Sequence, residues 1–285
     1  EIHLREKKRN KSTKYISIQY GNELTDDIYF SLSKNNKGFF KEFIEPLDQI
    51  WTSPHYEKNI PYLITKNKNE NLKIIPYIWE DIFIRNQLDE LNFSVKLELF
   101  KSELNINRVS IFEPNLSFTK TSLIPINIVE RFEQLYPEKL QSCTIISSKE
   151  LVDNEYFIKL LMNMDIFKKR ANFLKCRDRT KLLFALKNYG GLVISHQILN
   201  ELNYLYFESL FLSLPLIHNS PHLSKYGYFY KDFDINQAVE NIKFVLENHK
   251  NNLKNYEKRN LELFKKFSPY SKSNKENYRI LLENV

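Results

Sequence analysis

Residues Gly191–Ser220, GLVISHQILNELNYLYFESLFLSLPLIHNS, decide the fold class of this chain. Leu192, Val193 and Ile194 form a short apolar run that stops at Ser195-His196-Gln197. A helix-length segment follows from about Leu202 to Ser213, then a second apolar run, Pro215-Leu216-Ile217, which stops at His218-Asn219-Ser220. Two buried strands with a helix between them, within roughly thirty residues, have the spacing of a right-handed βαβ unit. In open α/β sheets ligands bind beyond the carboxyl ends of the strands. Both runs end there in hydrogen-bonding side chains, so the functional site is expected at those ends.

The same alternation extends upstream. Tyr15–Gln19 reads as a strand ending in the turn Tyr20-Gly21-Asn22, and Leu24–Leu32 as a helix with acidic residues in its first turn. Gln49–Ser53 and Asn71–Tyr77 are further short strands. The charged stretch Asp81–Asn107 carries the expected domain boundary. Beyond it, Arg108–Phe112 is a strand followed by the turn Glu113-Pro114-Asn115, and Thr121–Leu135 has helical periodicity through Ile124, Ile128, Val129 and Phe132. Cys143–Ile146 reads as a strand, Glu155–Met164 as a helix, Phe167–Leu174 as a short element and Lys181–Tyr189 as a helix. After the central unit, Asp234 caps a helix over Asn236–Asn248, and two more helices cover Asn252–Lys266 and Ser273–Glu283. Strands alternating with helices predict an α/β fold.

Composition narrows the classes. A hydrophobic content of 42% with 27% charged residues is that of a folded globular chain. No apolar run reaches the roughly 18–20 residues of a membrane span, and the charged start EIHLREKKRNKSTK lacks the apolar centre of a secretory signal. Two cysteines, Cys143 and Cys176, fit a reducing, cytoplasmic compartment and give no zinc-site spacing. The net charge of +7 has two readings: a lysine-rich solvated surface, or attraction to a polyanion or membrane surface. Its densest run, Lys7-Lys8-Arg9-Asn10-Lys11, stands at the start of the chain. Only five glycines are present and no Gly-rich phosphate loop is among them.

Several side chains can carry chemistry. Glu208 stands in an otherwise apolar helix, where a carboxylate is costly to bury unpaired. It either pairs with a lysine or a backbone group, or accepts hydrogen bonds from a ligand's hydroxyls, such as a ribose. Asn200, Tyr204 and Glu208 recur four residues apart, as on one helix face or its approach. His196 and His218 each follow a strand, beside Ser195, Asn203 and Asn219; they line a polar cleft or pack the loops. No metal-ligand spacing surrounds them. Lys120, just before a helix, with the helix's own N–H groups, makes a seat for a diphosphate. Tyr228, Phe229 and Tyr230 offer stacking faces for a base or sugar ring, whereas Trp51 and Trp79 read as packing residues.

The second half resembles the donor-binding domain of GT-B glycosyltransferases. Many retaining members carry two glutamates separated by seven residues, the second on the donor ribose. Glu208 matches the second and Asn200 falls on the first, followed by Pro215-Leu216-Ile217 where that family has its next strand. The chain is also similar to an uncharacterised glycosyltransferase-like family of bacteria and viruses. Its pattern is matched by Ser195-His196-Gln197, Asn200, Leu202-Asn203-Tyr204, Tyr206, Glu208, Pro215-Leu216, His218-Asn219-Ser220, Gly227-Tyr228, Tyr230 and Asp232–Asp234. Trp51–His55, Pro76–Trp79 and Glu113-Pro114-Asn115 with Lys120 look like further family positions.

The resemblance implies an α/β, GT-B-like fold of two Rossmann-like domains, with the N-terminal one short or truncated. The expected division is 1–104 for an incomplete acceptor-side domain, 105–255 for a nucleotide-sugar-binding domain and 256–285 for helices packing back. It implies a hexosyltransferase that moves a sugar from a nucleotide-diphosphate-sugar donor without a metal or other cofactor. The acceptor would be a glycan, a lipid-linked glycan, a protein or a nucleic-acid base. Glu208 would then hold the ribose and Lys120 the diphosphate, with Ser195, His196, Asn200, Asn203, Tyr204, His218 and Asn219 lining the pocket. His55 is the candidate general base. Two alternatives stand beside it: a non-catalytic polyanion-binding or scaffold protein on a degenerate α/β fold, and a nucleotide-sugar epimerase.

Overall fold

Parallel strands covered on both sides by helices are normally short apolar runs, a form that Leu192–Ile194 and Leu216–Ile217 take in full. In the computed structural model, residues 13–32, 47–90 and 104–285 are described; the basic run 7–11 and part of the charged stretch 81–107 lie outside them. The chain divides into two units, Glu1–Ile78 with Phe267–Val285, and Trp79–Lys266.

In the first unit, β1 (Ile16–Gln19), β2 (Gln49–Thr52) and β3 (Leu72–Ile74) form a parallel sheet in that order, with α1 (Glu23–Leu32) and α2 (Ile60–Asn67) between them. Central β2 is buried along its length, and the Trp51 indole donates to Gln49 Oε1 at 2.7 Å. Lys66 on α2 reaches both Glu23 (3.1 Å) and Asp27 (2.5 Å) on α1, and the latter also accepts from Tyr62.

The second unit opens with α3 (Ile82–Glu90). It then runs β4 (Arg108–Ile111), α4 (Leu123–Leu135), β5 (Ser142–Ile146), α5 (Glu155–Asn163), α6 (Asp165–Lys168), β6 (Leu174–Arg177), α7 (Leu182–Tyr189) and β7 (Leu192–Ile194). It closes with α8 (Tyr204–Phe211), β8 (Leu216–His218), β9 (Tyr228–Phe229), α9 (Ile235–Asn248) and α10 (Leu253–Phe267). A last helix, α11 (Lys272–Glu283), belongs to the first unit, where Tyr278 Oη donates to the Pro76 carbonyl at 2.9 Å.

All six strands of the second unit are parallel, in the order β6-β5-β4-β7-β8-β9. Chain order runs outward from β4 through β5 to β6, then returns to β7 on the other side of β4. The β4/β7 pair is therefore the point where the winding reverses, the place where doubly wound sheets bind ligands.

The division falls at Ile78/Trp79 and Lys266/Phe267, not at the expected 104/105 and 255/256. Aromatic packing explains the first shift: Trp79 stacks on Phe207 with centroids 5.8 Å apart and meets Phe211 and Phe264, while Glu90 pairs with Lys181. Hydrogen bonds explain the second. Tyr256 Oη donates to the Leu214 carbonyl at 2.7 Å and Asn260 Nδ2 to that of Leu210 at 2.9 Å, which keeps most of α10 in the second unit. No helix among the described residues is long and apolar enough to cross a membrane.

Candidate functional site at the β4/β7 junction

The residue that organises the carboxyl edge of the sheet is Glu113, two positions beyond β4 and fully buried. In the sequence it stands in a turn and among the positions that match the glycosyltransferase-like family, with no role of its own. Its Oε1 accepts from Ser195 Oγ and from the His196 backbone N–H at 3.2 Å, and its Oε2 accepts from Gln197 Nε2. All three donors lie just past β7, so one carboxylate ties together the ends of the two strands at the winding reversal. Burial raises its pKa to about 7, against the lowering effect of those hydrogen bonds and of the nearby Lys120 charge. The carboxyl thus titrates near neutrality.

The loop that carries Glu113 is set by Asn115, a non-glycine residue in the left-handed region at φ 56°. Its amide donates to the Glu113 carbonyl at 2.8 Å, while its Oδ1 accepts from Ser122 N and Oγ, both at 2.8 Å. Asparagine tolerates that backbone region and bonds locally. Across the junction, the Ile198 N–H donates to the Thr119 carbonyl at 2.9 Å. A second tie runs from β7 to β8. Asn219 Oδ1 accepts the Gln197 N–H at 2.9 Å and its Nδ2 donates to the Gln197 carbonyl at 2.8 Å, imitating one rung of a ladder.

His196 is 1% exposed. Its Nδ1 lies 2.8 Å from Tyr230 Oη, and its ring contacts Phe233 at a centroid distance of 4.6 Å. Its Nε2 is buried with no hydrogen-bond partner among the described residues. Burial lowers its pKa to about 4, so the ring is neutral at pH 7 and this orphaned nitrogen offers one donor or one acceptor.

Glu208, on α8, is half-buried, and its carboxylate makes no hydrogen bond or ion pair among the described residues. Burial alone raises its pKa to about 7. Other interior carboxylates of this unit are consumed by structure. Glu130 accepts the N–H groups of Asp165 and Ile166 at 2.8 and 3.0 Å, and Glu133 pairs with Arg170 at 2.6 Å. Glu208 is left with its acceptor capacity unspent.

The structure brings Ser195, His196, Asn200 and Asn219 together around Glu113 and Gln197, but reassigns several of them. Ser195 Oγ has a single hydrogen and sits between Glu113 and Tyr206 Oη (3.1 Å). Asn200 donates to Gln197 Oε1 at 3.0 Å. The helix begins only at Tyr204, because Asn203 is its cap and accepts the Tyr206 N–H at 3.2 Å; Asn200 is therefore in the preceding loop, not on the Glu208 face. Tyr204 is exposed.

His218 is a structural histidine. Its Nε2 donates to the Tyr226 carbonyl at 2.9 Å and its Nδ1 accepts the Ser220 N–H at 3.1 Å, so no ring nitrogen is left for a ligand. Gly227, at φ 60°, makes room for it: a Cβ there would meet His218 Nε2 at 2.8 Å. Tyr228 and Tyr230 are buried, the first bonded to His249 Nδ1 at 2.7 Å and the second to His196, so neither is a stacking face.

Lys120 ends a short turn before α4 and its charge reaches Glu113. The start of α4 has fewer spare donors than expected, since Thr121 Oγ1 takes the Leu123 N–H at 3.2 Å and Pro125 has none. His55 lies past β2 in the first unit, its ring 3.9 Å from that of Tyr56 and 5.8 Å from that of Tyr77. No cluster of three metal-ligating side chains occurs among the described residues.

The family profile described as "Protein of unknown function (DUF2827)" matches residues 3–282. The chain is a member of DUF2827. A search of curated proteins gives no match. This DUF2827 chain is similar to several solved structures. HepE of Anabaena in complex with UDP-glucose is 12% identical with a TM-score of 0.54, over 83% of this chain and 64% of that one. The N-terminal domain of Candida albicans trehalose-6-phosphate phosphatase is 12% identical with a TM-score of 0.61, over 84% and 59%. TarM of S. aureus in complex with UDP, fondaparinux and α-GlcNAc-glycerol is 16% identical with a TM-score of 0.52, over 82% and 50%. At such identities the likeness is one of fold, and the DUF2827 chain spans less than two thirds of each of these structures. The fold is α/β with parallel sheets and is GT-B-like.

Proposed function

We propose that this chain is a glycosyltransferase that takes a nucleotide-diphosphate sugar as donor and seats it at the carboxyl edge of the six-stranded sheet. The observation that carries the reading is Glu208: a half-buried carboxylate without a side-chain partner among the described residues, on the helix that follows the carboxyl end of β7, the end of the sheet where this fold binds ligands. A pair of ribose hydroxyls would supply the two donors it lacks. His196 Nε2, buried and unpartnered, is the second contact point, for a hydroxyl of the donor. Lys120 contributes positive charge toward the departing diphosphate, so transfer proceeds by electrostatic stabilisation without a metal. Glu113 acts through Ser195, His196 and Gln197 as a positioning residue. His55 serves as general base toward an acceptor hydroxyl, and the protein acts in the cytoplasm.

The HepE and TarM complexes with UDP or UDP-glucose support a uridine nucleotide as the first donor to try. Calorimetric titration with UDP, GDP and their sugars should give saturable binding, lost at least tenfold in Glu208→Ala. Binding of no nucleotide, or binding indifferent to Glu208→Ala, would reject the reading. The net charge of +7 favours one second reading, a polyanion-binding protein without catalysis. It requires salt-sensitive binding to DNA or heparin that Glu208→Ala leaves unchanged.

A further inference from the structure

The opposite edge of the same sheet holds a second feature. Strand register places Arg108 beside Ser142, and Ser110 beside Thr144 and Lys175, across β4, β5 and β6. Side chains alternate between faces, so these residues share one face of the sheet, with Arg177 and a single apolar interruption at Ile146. The other face of the same three strands is apolar throughout: Val109, Ile111, Cys143, Ile145, Leu174 and Cys176. A parallel sheet covered on both sides is normally apolar on both. The polarity is confined to this half, since on β7 the neighbour of Ser110 is Val193.

A cavity of about 160 Å³ lies over the polar face, at the amino ends of the strands. Arg108, Ser142, Thr144 and Lys175 line it, together with Asn188 and Tyr189 at the end of α7. Gly190 lets that helix end close against β4: it has φ 143°, and a Cβ there would lie 2.3 Å from the Arg108 carbonyl oxygen. Ser110 is satisfied by the Gly190 carbonyl at 2.8 Å, whereas the hydroxyls of Ser142 and Thr144, both lining the cavity, make no hydrogen bond to another described residue. Arg108 spends only Nε, on Gln141 Oε1 at 3.1 Å, and Lys175 has neither hydrogen bond nor ion pair among the described residues. No acidic side chain lines the cavity.

We propose that this cavity is a seat for a phosphate-sized oxyanion, held by Arg108 and Lys175 and by the hydroxyls of Ser142 and Thr144. Two cations without acids exclude a metal ion, and a guanidinium with its Nη groups unspent suits a tetrahedral oxyanion. The volume is below the ~300 Å³ at which pockets for larger ligands begin, so the seat takes a free phosphate or the terminal phosphoryl group of a small ester. Its residues are separate from those around Glu113 and Glu208, and the proposal does not depend on the donor reading.

The test is calorimetric titration of the whole chain with inorganic phosphate and, in a second arm, glycerol 3-phosphate, at constant ionic strength held with chloride. The expected result is saturable one-to-one binding of at least one of the two. It should weaken tenfold or more in the Arg108→Gln, Lys175→Gln double variant, weaken also in Thr144→Val, and persist in Glu208→Ala. The Thr144→Val change is nearly isosteric and keeps the test decisive if the double variant folds poorly. Absence of saturation in both arms, affinity unchanged in the Arg108/Lys175 and Thr144 variants, or loss in Glu208→Ala would overturn the proposal.

Discussion

The Glu113 carboxylate accepts the His196 backbone N–H at 3.2 Å and thereby joins the ends of two neighbouring strands that are 83 residues apart in sequence. That contact fixes the two strand ends to each other where the winding reverses. The first consequence concerns acidity. A carboxyl whose folded pKa is raised holds its proton in the native state after the unfolded chain has released it. Its stabilising contribution is therefore full below the unfolded value of 4.5 and fades as pH rises toward about 7. In Glu113→Gln this decline should be reduced by on the order of 3 kcal/mol between pH 4.5 and 7. Urea unfolding of both proteins across that range measures it.

His196 and His218 give the opposite trend. Both are held neutral by burial, with pKa values lowered to about 4. Unfolding lets them take up protons below their ordinary value of 6.5, so they add stability as pH rises from about 4 to 6.5. Replacing His218 with Phe should flatten that rise. It should also cost on the order of 2–4 kcal/mol, because the Tyr226 carbonyl and the Ser220 N–H lose their partner. Thermal and urea unfolding read both effects.

For His196 the two ring nitrogens can be separated. Asn in its place keeps a polar atom near Nδ1 for Tyr230, while Gln keeps one near Nε2. If Nε2 faces the donor, His196→Gln should retain nucleotide-sugar hydrolysis or transfer better than His196→Asn, by about tenfold in rate. Equal activity of the two variants would place the function of this ring in packing alone.

Donor binding should itself depend on pH. Glu208 accepts hydroxyl hydrogens best when ionised, and its pKa lies at about 7. Affinity for the nucleotide should therefore fall about tenfold from pH 8 to pH 6, and Glu208→Gln should remove most of that slope. Fluorescence or calorimetric titration at three pH values is sufficient.

Much of the sheet was legible because β7 and β8 are short apolar runs bounded by polar residues, and β4 and β5 keep an apolar residue at every second position. The strands missed were the edges. Leu174–Arg177 carries Lys175 and Arg177, and Tyr228–Phe229 is two residues long, so neither has the composition of a buried strand. Around the site, the apolar setting of Glu208 was visible, but the acceptance of the Tyr206 N–H by Asn203 was not, and it moved the helix start from Leu202 to Tyr204. The organising role of Glu113 was not legible because its partners lie 82 to 84 residues away and no local spacing announces them. A signal existed: an acid directly after the RVSIF strand, with an Asn two positions on to turn the chain. For His218 the sequence left cleft lining and loop packing open, since the backbone groups that satisfy it belong to a loop whose path the sequence does not reveal.

Each side-chain or backbone group that holds the Glu113 carboxylate belongs to residues Ser195–Gln197, all within the Trp79–Lys266 unit. A seat assembled wholly inside one unit can be inherited as a cassette. Recombination can then exchange the remainder of such a protein while the cluster beside β4 and β7 passes on unaltered.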